Sequence, residues 1–356
     1  MTRILVDFLY YTGAKGGMES YVREIFSRMP QDGVDFVGLA SRQMMALDNS
    51  WFPGEFVESG IDGENRIAWA AGEILAVGRA GRRVGADLVY SPANLGAWGN
   101  NPPSVLTVHD LLPFRHPEYI PAGRAPALRL LVSRAARAAR RVITISETSR
   151  RDIVDILGIP EDRIDVIHLG GRAPRVAPST REAGFVLAVG NRLPHKNFPA
   201  LVEAIALIPE PQRPRLVLTG SHGTDPLRPL VERFGLQPWV SLREWVSNDE
   251  IEALFSEAAI VVVPSLFEGF GLPVLDGMTH GAAVVCSDIP ALREVGGSAA
   301  IYSAPTASGL AEAIGTLIAD PEALASAQRA SVERAAAFSW DRAAVQTLES
   351  LRRALD

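Results

Sequence analysis

Four short stretches of this sequence put ionisable side chains beside glycines where an apolar, β-branched run stops. The richest is VVVPSLFEGFGLPVLDGMTHG, residues 261–281. Its apolar run leads into Glu268, Gly269 and Gly271 let the chain turn inward, and Pro273 opens a helix that carries Asp276. Backbone N–H groups at Phe270, Gly271 and Leu272 would then face an anion, with a carboxylate on either side of it. Carboxylates accept hydrogen bonds from vicinal hydroxyls, so the pattern suits a sugar at one end and a ribose at the other. A second stretch, VLAVGNRLPHKNFPALVEAI, sets Arg192, His195 and Lys196 ahead of a helix, with Asn197 placed to cap it and Pro199 suited to its first turn. Cations at a helix N-terminus suit a diphosphate whose leaving charge must be neutralised, the bland alternative being a surface cation pair. In TVHDLLPFRHPEY, His109 stands at a strand's carboxyl edge as a polar contact to substrate, and His109 and His116 fit no zinc spacing. In YYTGAKGGMESYV, glycines 13, 16 and 17 precede a helix and make either a phosphate loop or a tight βα turn. That spacing is neither the dinucleotide fingerprint nor the P-loop.

The elements that must position these residues alternate throughout. Short apolar strands are expected at 4–9, 36–39, 88–91, 105–109, 142–145 and 165–167, and again at 185–189, 216–219, 240–242, 260–263 and 284–287. Helical patterns intervene, as in Met18 to Met29, where Met18, Tyr21, Val22, Ile25 and Phe26 form one stripe. The fold class is therefore α/β, with parallel sheets in two domains. Residues 168–184, rich in Pro, Gly and Arg, read as a linker between a domain at 1–170 and one at 171–340. The helical stretch 341–356 has no strand after it and is expected to pack back toward the first domain. Open α/β sheets bind ligands beyond the carboxyl ends of their strands, so the two domains are expected to face a shared cleft.

Composition narrows the classes. Apolar residues make up 47% and charged residues 21%, with a net charge of −6, which describes a globular chain and excludes a nucleic-acid footprint. Cys286 is the only cysteine, so no internal disulfide can form, and a cytoplasmic setting is expected. No apolar run reaches a membrane span and the N-terminus lacks a signal-peptide pattern. Of 35 Lys and Arg residues only Lys15 and Lys196 are lysines. A compact ammonium in the diphosphate loop accounts for Lys196, whereas Lys15 is either a lip residue or a loop surface charge. Eight arginines against Glu147 alone between Arg124 and Arg151, with apolar residues at helical spacing, read as a basic amphipathic helix. Such a face suits an anionic membrane surface, or is a solvated outer face.

The segments GGMESYV, HDLLP, RVITISETSRRDI, GNRLPHKN and PSLFEGFGLPVLDGMTHGAAVVCSDIPALREVGG resemble, in that order and over nearly the whole chain, the retaining glycosyltransferases of family 4. That resemblance implies the GT-B fold, two Rossmann-like domains facing a central cleft. The last segment matches the family's specific E-x7-E signature, with Asp276, one methylene shorter, in place of the second Glu. By the same resemblance, Arg192 and Lys196 bind the donor's pyrophosphate, Glu268 contacts hydroxyls of the transferred sugar, and backbone at Phe270, Gly271 and Leu272 holds phosphate. Asp276 contacts the ribose, His109 contacts the donor sugar and stabilises its developing positive charge, and Gly16 and Gly17 leave room for the donor near the acceptor. The implied reaction moves a hexose from a nucleotide sugar to a growing, lipid-linked surface glycan by a front-face route, with no protein nucleophile, no cofactor and no metal. No D-x-D triplet is present to hold one. HDLLPFRHPEY is similar to mannosyltransferases of surface-polysaccharide assembly and favours GDP-mannose. The expected location is the cytoplasm, peripheral to the inner face of the membrane. Two rivals remain: a nucleotide-sugar epimerase on the same fold, and a non-catalytic subunit of glycan assembly.

Overall fold

The computed structural model of the chain describes residues 1–13, 16–99, 101–174 and 181–356. Lys15 and residues 175–180 of the expected linker lie outside the described residues. The chain divides into two compact units, one of Met1–Gly170 with Ser339–Asp356 and one of Gly171–Phe338.

In the first unit the strands β1 (Thr2–Phe8), β2 (Val34–Ala40), β3 (Glu55–Glu58), β4 (Leu88–Ser91), β5 (Ser104–Val108), β6 (Arg141–Thr144) and β7 (Ile164–Val166) form one sheet. Its order is β3-β2-β1-β4-β5-β6-β7, and every pairing is parallel. Ile4 sits between Phe36 and Leu88, and residues 4–8 of β1 are all buried, as a strand covered on both faces requires. β3 carries no strand signal in the sequence, because glutamates bracket its two apolar residues. It is one of the two edge strands, where charge discourages pairing with another sheet.

In the second unit β8 (Glu182–Val189), β9 (Arg215–Ser221), β10 (Val240–Glu244), β11 (Ala258–Val263), β12 (Ala283–Ser287) and β13 (Ile301–Ser303) run parallel in the order β10-β9-β8-β11-β12-β13. Val261 of β11 pairs with Leu187 on one side and Val284 on the other. At three residues, β13 is too short for alternation to reveal. The core of this unit joins one face of the sheet to flanking helices through Val186, Leu218, Val262, Leu201, Ile205 and Ile314.

The order of each sheet reverses between its first strand and the fourth of its unit, β1 against β4 and β8 against β11. At such a switch point the loops leaving two neighbouring strands diverge and open a crevice for ligand. The loops after β8 and β11 are those carrying Lys196 and Glu268.

Two expectations need correction. Arg124 to Arg151 is not one basic helix: the helix spans Ala125–Ala138, β6 follows, and Ser146 caps a separate helix, Glu147–Asp152. Arg141 belongs to β6 and makes a two-pronged ion pair with Asp165 at 2.8 and 2.9 Å, while Arg150 binds Glu147 and Glu161. Arg141 is spent inside the unit because it lies in the sheet, where an unpaired charge would be costly. Asn197, in turn, does not cap the following helix with its side chain.

Candidate functional site

In the second unit two loops are stitched together. The Leu266 N–H donates to the carbonyl of buried His195 at 2.7 Å, and Asn197 Nδ2 donates to the carbonyls of Pro264 and Pro305 at 3.1 and 2.9 Å. Asn197 adopts a left-handed conformation (φ 54°), one that Asn tolerates, and this aims its amide across rather than along the helix. These contacts bring Lys196 Nζ to 2.8 Å from Glu268 Oε1, with Ser265 Oγ donating to the same oxygen at 2.7 Å. Burial alone would raise the Glu268 carboxyl, but the Lys196 ammonium, the Ser265 hydroxyl and His195 outweigh it and hold it below the usual carboxylate range. Glu268 is thus an anion, and its Oε2 accepts no hydrogen bond from the described residues. An ionised carboxylate with one oxygen fixed and one available is a rigid acceptor for a hydroxyl.

Just beyond it, Gly271 (φ 109°) caps the helix Leu272–Thr279. A Cβ there would stand 2.6 Å from Leu292 Cδ2, so both the backbone angle and the packing call for glycine. The helix's first internal bond is Val274 N–H to Gly271 O, which leaves the N–H groups of Gly271 and Leu272 ahead of the ladder. Phe270 is buried edge-on against Phe338 at 6.0 Å, so its side chain anchors the turn. One turn along, Asp276 Oδ1 accepts the Arg172 N–H at 2.8 Å and so ties down the chain where it enters this unit.

Arg192 sits differently from its neighbours. Its guanidinium is buried and binds Asp225 through Nε and Nη2, with the shortest contact 2.8 Å, while Nη1 donates to the carbonyls of Gly190 and Thr219, each at 2.9 Å. Neither Asp225 nor Ser265 stood out in the sequence. An acid in a polar turn, SHGTDP, has no periodic signal, and Ser265 is legible only as the residue three before Glu268.

In the first unit, His109 follows β5 and is buried edge-on to Tyr21 at 4.9 Å. Its Nε2 lies 2.8 Å from the Pro92 carbonyl, which can only accept, so Nε2 carries the proton and Nδ1 keeps its lone pair. Burial pushes its pKa down to about 4, against a small upward pull from the Pro92 carbonyl, and the ring is neutral at pH 7. Tyr21 itself joins a buried hydroxyl chain with Tyr90 and Thr107. Gly16 caps the helix Gly17–Phe26 in a conformation open to glycine (φ 63°, ψ −127°), and nothing in the described protein lies within 4 Å of a Cβ placed on Gly17. Glu19 in the first turn reaches back to the Thr12 N–H at 2.7 Å and closes the loop. The thiol of Cys286 is buried and pushed up to about 12 by desolvation, which makes it a poor nucleophile.

Two family models cover most of the chain: one described as Glycosyltransferase Family 4 matches residues 15–170, and one described as glycosyl transferases group 1 matches residues 183–320. O-antigen chain mannosyltransferase B of Escherichia coli is 29% identical over 75% of this chain and 74% of its own length. O-antigen chain mannosyltransferase RfbU of Salmonella typhimurium is 28% identical over 56% of each. Among solved structures, Anabaena HepE in complex with UDP-glucose superposes with a TM-score of 0.76 at 18% identity, over 99% of this chain and 100% of that one, a likeness of fold.

Proposed function

Because the chain belongs to the family 4, group 1 glycosyltransferases, we propose that this enzyme, a hexosyltransferase by class, moves mannose from GDP-mannose to a lipid-linked surface glycan. The observation that carries the reading is the Lys196–Glu268 pair at the switch point of the second sheet. It sets a point charge suited to a leaving diphosphate next to an ionised acceptor suited to a sugar hydroxyl. The N–H groups of Gly271 and Leu272, at the head of their helix, add donors for phosphate. Asp276, one turn along the same helix, receives the ribose. Neutral His109 suits contact with a donor sugar: an uncharged ring does not repel an oxocarbenium-like centre, and its Nδ1 lone pair can face one. Gly16 and Gly17 leave space for the donor. Transfer proceeds with retention and without a metal, as the departing phosphate draws the proton from the acceptor hydroxyl. Mannose and a surface glycan are supported by the two O-antigen mannosyltransferase relatives. A cytoplasmic enzyme peripheral to the membrane suits a single buried thiol and the exposed arginines of 124–140. No helix among the described residues is long and apolar enough to cross a membrane.

The test is a panel of nucleotide sugars with lipid-linked acceptors, run with and without EDTA, beside thermal shifts with GDP, UDP and dTDP. Mannosyl transfer from GDP-mannose that survives EDTA, is abolished in Glu268→Ala and retains anomeric configuration is expected, with GDP giving the largest shift. Turnover of donor with no acceptor would replace this reading with an epimerase. Glycan synthesis in cells that is unchanged by Glu268→Ala would replace it with a non-catalytic subunit.

A further inference from the structure

We infer that Arg192 is one half of a tether, with Asp225 the other half, that positions Lys196, and that Arg192 is not itself a ligand of the diphosphate. The inference rests on the donor reading above. A guanidinium has five N–H donors. Nε and one Nη2 proton lie on Asp225 Oδ2 at 3.0 and 2.8 Å, and Nη1 serves Gly190 O and Thr219 O. The last Nη2 proton faces Leu218 O at 3.3 Å, so no donor remains. The side chains of Arg192 and Asp225 are only 8% and 4% exposed, and the Phe198 ring lies 5.3 Å below the guanidinium. Swinging Arg192 toward a phosphate would strand the Asp225 carboxylate and three carbonyls in the interior.

The tether's carbonyl partners are the carboxyl ends of β8 and β9, and its carboxylate is fixed in turn by the Leu227 N–H at 2.9 Å. The stem of Lys196 runs past Gly190, with its Cδ and Cε 3.7 Å from where a Cβ on that residue would stand. The path is thus continuous, from Asp225 to Arg192 to Gly190 to the lysine whose ammonium meets Glu268. Asp225 and Arg192 are positioning residues acting through the backbone of 190–196. A lysine at 192 would keep the charge but not the fork.

The experiment is calorimetric titration of the full chain with GDP and with UDP, for wild type, Arg192→Lys, Arg192→Gln and Asp225→Asn. Each variant is also made in a Lys196→Ala background, and native circular dichroism is the entry condition. A tether predicts that all three single variants weaken the preferred diphosphate about tenfold, with Arg192→Lys no better than Arg192→Gln. On Lys196→Ala, none of them should add more than about twofold, since their effect passes through that lysine. A direct phosphate ligand predicts the opposite pattern: Asp225→Asn frees the guanidinium and leaves binding unchanged or tighter, Arg192→Lys is mild, and the losses add to Lys196→Ala. That pattern overturns the inference alone. Wild-type protein that binds no nucleoside diphosphate overturns the donor reading and the inference with it.

Discussion

At residue scale, burial decides what each side chain can offer. His109 and Glu268 are both shielded from water, yet they end in opposite states. Glu268 has a cation and a hydroxyl on one oxygen and stays charged, whereas His109 has one neutral carbonyl and loses its proton. The histidine's displacement has a sign that stability should report. Unfolded, an ordinary histidine takes a proton below about pH 6.5, whereas the folded ring resists until about pH 4. The stability held in the neutral buried ring is therefore complete above pH 6.5 and drains away as the pH falls toward 4, by about 3 kcal/mol at most. His109→Gln, which keeps a donor for the Pro92 carbonyl, should show a smaller fall in Tm between pH 7 and pH 5 than wild type. Equal falls would mean that the ring is protonated already. The same reasoning applies to Lys196. Lys196 sits where its ammonium is one hydrogen bond from a carboxylate, a placement visible beforehand only as a rare residue type in a polar loop.

At the scale of elements, the boundary between helix and strand decides which charges reach solvent. The segment 124–151 looks uniformly basic in sequence, but the strand in its middle draws Arg141 inward to Asp165. Arg151 is exposed on the separate helix Glu147–Asp152, while the exposed arginines at and around the helix Ala125–Ala138 are Arg124, Arg134, Arg137 and Arg140, with Leu130 56% exposed among them. An anionic bilayer would meet this narrower face. Replacing Arg124, Arg137 and Arg140 with Glu should cut sedimentation with phosphatidylglycerol vesicles severalfold and leave neutral phosphatidylcholine vesicles unaffected, whereas an Arg141 variant should act on stability instead. Unchanged sedimentation would make this a solvated face. Helix and strand identities were largely readable, because parallel sheets demand unbroken apolar runs. β3 and β13 were not, because glutamates bracket the apolar pair of β3 and β13 is only three residues long.

For the whole molecule, the chain leaves its first unit at Gly170, builds the second, and returns at Ser339 to complete the first. The last helix, Trp340–Arg353, buries Ala343, Leu348 and Leu351, and Trp340 lies 6.4 Å from Tyr21. Its Ser350 hydroxyl and Arg353 both bind Asp165, the acid that also holds Arg141. Buried apolar side chains are worth about 1.5–3 kcal/mol each, so a chain ending at Phe338 should lose the calorimetric transition of the first unit while that of the second persists. Two intact transitions would show that this helix is dispensable. The α/β class, the strand ends that carry chemistry, and the glycines and acids of the 261–281 segment were determined by the sequence alone, since periodicity and backbone conformation are local properties. Tertiary structure decided which of those groups are spent and which remain available. Lys196 meets Glu268 because strand order reverses between β8 and β11, and Arg192 is consumed because two carbonyls and an aspartate from a distant segment converge on it beside its own Gly190 carbonyl. Such convergence depends on the packing of strands far apart in the chain, which no local pattern records.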